Sequence, residues 1–551
     1  MALVCVPIMV TSAESALATA RRAKDAGADL VEFRVDGWFT GRDDTVAGAT
    51  IDEVVELVSA SPAPCILTCR TALEGGQYDG PEQARLTMLE RAGSIAGNGH
   101  RSPSFIDIEH ERYGTSTDAH RAIGIAVQRP ERAGDTVTRL ILSYHDFNTR
   151  PADLIRRCSA MAEEPACRVV KIAYRMRSTR DNIELLDLIG ECPKPMIGLG
   201  MGSFGLMSRV LAGKFGGFLT FAALNRGAAT APGQPTVEDL LGLYRFRSIR
   251  SQTAVYGVMG WPVEHSLSPA VHNAGFEAVG HDGVYLPLPI APEFEPLKAT
   301  LLEFIDHPRL NFGGCSVTLP HKEHLVRLAR QMVQDGDDRW TLDALAARCG
   351  AANTVVVVRD SLGEPVRIDV RNTDAPAAAA LLAGVETRSA AILGSGGTTR
   401  ALAAALSSAG WKVKIVSRVI SRAQKLVDEL ALPGIAAADA IAVADEEIGA
   451  LVNCTPVGMA GGPDPSGTPI DPGVLRNLPP RCVVADVVYN PLRTPLLMEA
   501  ERQERKTISG LAMFTAQAAE QFRLWTGKAA PERLFERVAR ETLESRARGD
   551  G

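Results

Sequence analysis

Arg168–Tyr174 reads RVVKIAY, a β-branched run that encloses one lysine and contains no turn residue. Such a run predicts a strand buried on both faces. Seven more runs of this kind precede residue 245: VCVPIM at 4–9, DLVEFRV at 29–35, CILTCR at 65–70, SFIDIEH at 104–110, VTRLILS at 137–143, PMIGLG at 195–200 and FLTFAAL at 218–224. Each is followed by enough chain for a helix, at a mean period of roughly 30 residues, which is the layout of a (β/α)8 TIM barrel. Chemistry in such barrels gathers at the C-terminal ends of the strands, so the residues there are the ones to inspect.

Beyond the barrel, YRFRSIRSQTA at 244–254 turns basic and loses periodicity, and a fresh strand, VYGVMG, opens at 255. The predicted organisation is a barrel over 1–245, a linker over 246–253, and an α/β lobe over 254–372 completed by C-terminal helices within 511–551. A Rossmann lobe lies between them over 373–510. The fold class is therefore α/β throughout. With 551 residues, 46% hydrophobic and 23% charged, the chain can bury more than one core and is not mostly disordered. A net charge of -6 lacks the basic excess that phosphate tracking requires, so nucleic acid is not an expected partner. Ten scattered cysteines without a CxxC pair read as reduced thiols, which suits a cytoplasmic location. MALVCVPIMV lacks the features of a signal or transit peptide, and the longest nearly apolar run, 375–384, is too short to span a bilayer, so no membrane association is expected.

Polar residues at the predicted strand ends are Glu32, Arg34, Asp36, Arg70, Glu74, His145 and Lys171. A lysine flanked by apolar residues must be paired, placed in a solvated cavity or deprotonated, unless it snorkels outward. At the ordinary lysine pKa only about one amine in 2500 is neutral at pH 7. Neighbouring cations such as Arg34, Arg70 or Arg209 and loss of water would favour an uncharged amine nucleophile, as a Schiff-base enzyme needs. His145 suits general acid and base work, and the arginines could fork a carboxylate.

Farther along, AAILGSGGTTRALAAAL at 390–406 is a strand, a glycine-rich turn and a helix, the unit that seats a pyrophosphate on a helix N-terminus. The next strand ends in Ser417 and Arg418, the latter 24 residues after Gly394, where an acid would select NAD. Arg418 with Arg422 accepts a 2′-phosphate instead, so NADP is the predicted cofactor. HKEH at 321–324 lacks the spacing of a zinc site, and no metal is expected.

VEFRVDG, LTCRTALEGG, LSYHDFN, RVVKIAY, LMSRVL and TAPGQPT occur in the order of type I 3-dehydroquinate dehydratases, which residues 1–245 resemble. That resemblance implies an imine at Lys171 and proton transfer by His145, which Glu74 holds. It also implies a carboxylate contact at Arg209 and hydroxyl contacts from Glu32, Arg34, Arg70, Thr230 and Gln234. Residues 254–530 resemble shikimate dehydrogenase through VYGVMGWPVEHSLSPAVHNAGF, FGGCSVTLPHKEHL, GAANTVVV, RNTDAP, NCTPVGM, DVVYNPLRTPLL and SGLAMFTAQAAEQF. By position this implies Lys322 and Asp374 as a catalytic pair, with Ser266, Ser268, Thr318, Asn353 and Gln517 around the substrate. The cofactor would meet Gly394, Ser395, Gly396, Gly397, Thr398, Ser417, Arg418, Arg422, Thr455, Gly510 and Met513.

Three departures stand out. GSGGTT replaces the commoner GAGGAG or GAGGAA, Val419 replaces a hydroxyl, and Val370, Arg371 and Ala375 flank NTD where relatives usually carry Gly before it and often Gly after it. The resemblance implies a bifunctional enzyme, monomeric or homodimeric, that converts 3-dehydroquinate to 3-dehydroshikimate and then to shikimate with NADPH. Two other readings remain open in the sequence: a metabolite sensor with decayed catalysis, and a second domain that prefers quinate.

Overall fold

The computed structural model describes residues 2–41, 49–95, 101–127, 137–228, 230–231, 233–432, 436–437 and 448–548, in two compact units, Met1–Thr253 and Ala254–Gly551. In the first unit, eight strands alternate with helices: β1 (Leu3–Met9), β2 (Leu30–Arg34), β3 (Cys65–Thr68), β4 (Phe105–Glu109), β5 (Arg139–Asp146), β6 (Cys167–Arg175), β7 (Met196–Met201) and β8 (Leu219–Phe221). All eight are parallel, each paired with the next from β1 to β7, and β8 pairs with β1. The remaining seam is narrow, because the Phe218 N–H donates to the Met196 carbonyl at 2.8 Å. This is the barrel predicted from the eight runs.

Side-chain alternation along these strands builds the interior in layers. Leu30, Ile66, Phe105, Ile141 and Val169 form an apolar plug. Two residues further along each strand, on the same face, stand Glu32, Thr68, Asp107, Ser143 and Lys171, all buried. The lysine points inward for the same reason that Val169 and Ala173 on either side of it do.

The stretch 246–253, expected as a linker, is itself packed. Phe246 and Ile249 are buried, and the Arg247 guanidinium donates to the Gly27 carbonyl at 2.7 Å and to Asp29 at 3.2 Å. Its two apolar residues account for this, since they bury surface that a free linker would leave in water.

The second unit carries two six-stranded sheets. The first contains β9 (Ala254–Gly260), β10 (Gly283–Pro289), β11 (Phe312–Val317), β12 (Trp340–Leu342), β13 (Thr354–Arg359) and β14 (Pro365–Arg371), in the order β10-β9-β11-β13-β14-β12. It is mixed, with β13 antiparallel to both of its neighbours. The helices Ser268–Ala278, Gly510–Thr526 and Glu532–Arg548 meet on it around Phe276, Phe522, Trp525 and Phe535, so the end of the chain completes this lobe. Trp525 donates to the Val355 carbonyl at 2.9 Å, which satisfies the one polar atom its burial would otherwise strand.

The second sheet contains β15 (Ser389–Leu393), β16 (Lys412–Val416), β17 (Ala436–Ala437), β18 (Ala450–Asn453), β19 (Val483–Asp486) and β20 (Thr507–Ile508). Its strands are all parallel in the order β17-β16-β15-β18-β19-β20, the doubly wound dinucleotide-binding arrangement. Its switch point lies between β15 and β18, where Gly394 and Thr455 follow the strand ends.

Candidate active sites

In the barrel mouth, Lys171 is 4% exposed, and its Nζ lies 2.8 Å from Asp107 Oδ2 and 3.2 Å from Glu32 Oε1. Its ammonium also rests over the Phe221 ring at 4.6 Å. The expectation of an amine ringed by cations needs correction here, because two carboxylates are its immediate partners. Isolated charge in a low-dielectric interior is too costly to leave unpaired.

Asp107 is the centre of the network. It accepts from Lys171, from Arg70 at 2.8 Å and from Ser143 at 2.7 Å. Burial alone would raise its pKa, but Arg70 and Lys171 outweigh that and hold it well below the carboxylate range. Arg70 also donates to Ser143 at 2.6 Å and lies 3.8 Å from Glu109, which in turn accepts from Arg85 at 2.8 Å. Thr68 donates to Glu32 at 2.8 Å, so that carboxylate is held from two sides.

His145, near the end of β5, meets Glu74 twice. Its backbone N–H donates to Glu74 Oε2 at 3.0 Å, and its Nδ1 lies 3.1 Å from the same oxygen. Since Oε2 already acts as an acceptor, we assign the proton to Nδ1, which leaves the Nε2 lone pair free. Burial, with Arg70 and Lys171 nearby, holds the imidazole well below its usual pKa and therefore neutral at pH 7. Burial raises Glu74 to about 8, against the pull of Arg70. Glu74 ends a tight turn that Gly75 closes at φ 75°, where an added Cβ would stand 2.3 Å from the Phe147 ring.

Arg209 differs from the other cations. It is 1% exposed, and its guanidinium meets two carbonyls, Gly200 at 3.1 Å and Phe221 at 3.4 Å, with no carboxylate partner among the described residues. Burial lowers its pKa to about 10. A buried guanidinium without a counter-ion keeps donor capacity that a carboxylate could use. Arg34 is instead engaged in a two-point bond to Asp36 at 2.8 and 3.0 Å. Thr230 donates to Gln234 at 3.2 Å through its hydroxyl, so this pair forms one unit.

In the second unit, Lys322 and Asp374 start the helices Lys322–Gln334 and Asp374–Leu381, and Nζ meets Oδ2 at 2.6 Å. Lys322 also donates to Thr398 at 3.3 Å. Asn353, expected to hold substrate, is 2% exposed and largely occupied. It donates to the Thr373 hydroxyl at 3.0 Å and accepts from the Thr373 N–H at 2.8 Å, fixing the backbone just before Asp374. Ser266 accepts from the Ser268 N–H at 3.2 Å, Thr318 is half-buried at the end of β11, and Gln517 donates to the Phe514 carbonyl at 3.1 Å.

The glycine-rich turn offers a seat for a dinucleotide. Gly394 has φ 113°, and the helix Gly397–Ser408 begins there. Helices leave their first N–H groups unpaired, and a pyrophosphate satisfies them. Ser395 and Ser417 are joined at 3.3 Å, and Thr455 donates to Asn453 at 2.7 Å. Arg418 and Arg422 are exposed and form no ion pair among the described residues. Gly510 opens the helix Gly510–Thr526, where a Cβ would stand 2.4 Å from the Val487 carbonyl. Met513, expected at the cofactor, is buried in the Rossmann core beside Ala375 and Ala378, where it packs.

Comparison with known proteins matches this division. The model of Type I 3-dehydroquinase covers residues 4–251, that of the shikimate dehydrogenase substrate binding domain covers 258–355, and that of the shikimate 5'-dehydrogenase C-terminal domain covers 510–540. The chloroplastic bifunctional 3-dehydroquinate dehydratase/shikimate dehydrogenase of Arabidopsis thaliana is 32% identical over 548 residues, 97% of this chain and 83% of that protein. The chain belongs to this bifunctional family. The shikimate dehydrogenase (NADP(+)) of Methanosarcina mazei is 37% identical over 301 residues, 53% of this chain and 99% of that one. A solved shikimate 5-dehydrogenase from Thermus thermophilus, in complex with NADP(H) and shikimate, is 34% identical, covers 52% of this chain and 99% of its own, and aligns with a TM-score of 0.44.

Within this bifunctional dehydratase/dehydrogenase chain, the sequence reading missed Asp107, Ser143 and Glu109. The signal was present. Each lies two or four residues past an apolar plug residue in its run, on the same face as Glu32 and Lys171.

Proposed function

We propose that the barrel dehydrates 3-dehydroquinate to 3-dehydroshikimate through an imine at Lys171, and that the second unit reduces 3-dehydroshikimate to shikimate with NADPH. The observation that carries the first half is the coexistence, in one barrel mouth, of a buried amine, a neutral imidazole and a guanidinium lacking a counter-ion. Arg209 takes the substrate carboxylate. The Lys171 amine, having given up a proton, condenses with the ketone and releases water. The iminium withdraws electrons from the adjacent C–H, His145 Nε2 removes that proton, and the resulting enamine expels the hydroxyl two carbons from the imine carbon. The imidazolium returns its proton to that leaving hydroxyl, which departs as water, and hydrolysis frees the ketone and the lysine. Glu74 orients the imidazole, while Asp107 and Glu32 hold the amine in place and Glu32 can pass its proton towards water.

In the second unit the cofactor supplies a hydride. Lys322 polarises the carbonyl oxygen and delivers a proton to it, and Asp374 fixes the position of the amine at 2.6 Å. Ser266, Ser268, Thr318 and Gln517 would hold the substrate carboxylate and hydroxyls in this reading. The same reading places the chain in a reducing, cytoplasm-like compartment without nucleic-acid partners, supported by ten free cysteines and the net charge of -6. Among the described residues no helix is long and apolar enough to cross a membrane.

Two tests belong here. Arg209→Met is expected to raise KM for 3-dehydroquinate by about 10- to 100-fold, the worth of a charge-assisted bond. The melting temperature should hold or rise, because an unpaired buried charge has been removed. An unchanged KM with a fall in Tm would assign Arg209 to structure. Replacing Arg418 and Arg422 together by Ala should raise KM for NADPH by about tenfold at low salt, with less difference at high salt and no change for NADH. Equal effects on both cofactors would remove the 2′-phosphate from the account.

A further inference from the structure

Asp374 and Thr398, the hydrogen-bond partners of the Lys322 amine among the described residues, reach it from different elements. Asp374 opens the helix Asp374–Leu381, and Thr398 lies in the first turn of Gly397–Ser408, the helix whose N-terminus would seat the cofactor pyrophosphate. The neighbouring glycine makes this approach possible. A Cβ at Gly397 would stand 3.2 Å from Lys322 Cβ and 3.4 Å from its Cδ, so the glycine-rich turn packs directly on the lysine stem. An ammonium has three N–H donors. Asp374 takes one, Thr398 takes a second, and the third is left for the substrate carbonyl.

We infer that Thr398 is a positioning residue: its hydroxyl ties the Lys322 amine to the cofactor-binding turn, so that the proton donor and the dinucleotide seat share one anchor. This hydroxyl belongs to the GSGGTT variant of the turn, since the commoner GAGGAG and GAGGAA leave alanine at this place. The inference rests on the reading of Lys322 as the group that polarises the carbonyl. It alters the role of Thr398, which the resemblance alone would assign to the cofactor. A residue that serves the cofactor acts on NADPH affinity, whereas one that aims the lysine acts on turnover.

Thr398→Val keeps the branched shape and removes only the hydroxyl. In the full chain it should lower kcat for 3-dehydroshikimate reduction by about tenfold, the worth of one hydrogen bond to a charged group. The NADPH Kd from fluorescence titration should stay within about twofold, and Thr398→Ser should recover most of the loss. Dehydratase turnover of the same preparation reports on folding. In a Lys322→Ala background, adding Thr398→Val should change kcat by less than about twofold, because the hydroxyl then has nothing to aim. If Thr398→Val weakens NADPH and leaves kcat intact, or acts equally in the Lys322→Ala background, this inference alone is overturned. If Lys322→Ala itself retains wild-type kcat, the parent reading falls and takes the inference with it.

Discussion

Lys171→Ala is expected to lower dehydratase turnover by on the order of 10⁴-fold or more, since no other amine among the described residues stands in the mouth to form the imine. Reduction of 3-dehydroshikimate by the same protein should stay within about twofold of wild type, as expected for independent sites. Truncation of one partner in a buried ion pair costs about 3–5 kcal/mol, and Asp107 and Glu32 would both lose their lysine partner. Lys171→Arg therefore accompanies it: the charge and its two bonds are kept, the nucleophile is lost, and the barrel should stay folded and inactive. Borohydride added with 3-dehydroquinate should attach the mass of the reduced substrate to the wild-type peptide that contains Lys171. No adduct, together with turnover in Lys171→Arg, would reject the imine.

The second large effect is on reduction. Lys322→Ala should lower kcat by about 10²- to 10⁴-fold, the range for a lost general acid. NADPH affinity should change little, because Lys322 lies against the turn without being part of it. Asp374→Asn keeps the shape but weakens the hold on the amine, so its loss should be smaller and should not add to that of Lys322→Ala. Equal falls in kcat and in cofactor affinity for Lys322→Ala would point to a structural role. Dehydratase turnover is again the internal control.

The barrel was legible because each strand is an apolar run of the right length, and the position of Lys171 was legible because a charge interrupts one of them. Its partners were harder to see. Asp107 lies 64 residues away and Glu32 lies 139 away, and periodicity reports which face a residue occupies without saying what stands opposite. Strand direction in the second unit was hidden for a similar reason, since TVVVVR at 354–359 looks the same whether it runs with or against its neighbours. Two of the three substitutions beside NTD are resolved by packing. Val370 is fully buried in β14 opposite Leu342 and Val355, and Ala375 is fully buried in the Rossmann core, so both fill space inside the fold.

The most direct test uses NADPH oxidation started with 3-dehydroquinate in three samples: the Lys171→Arg protein, the Lys322→Ala protein, and an equal mixture of the two. Each variant alone should show almost no oxidation, the first for want of 3-dehydroshikimate and the second for want of a proton donor. The mixture should restore steady oxidation after a lag while the intermediate accumulates. Oxidation by the Lys171→Arg protein alone, or none in the mixture, would contradict two chemistries carried by two separate lysines in one chain.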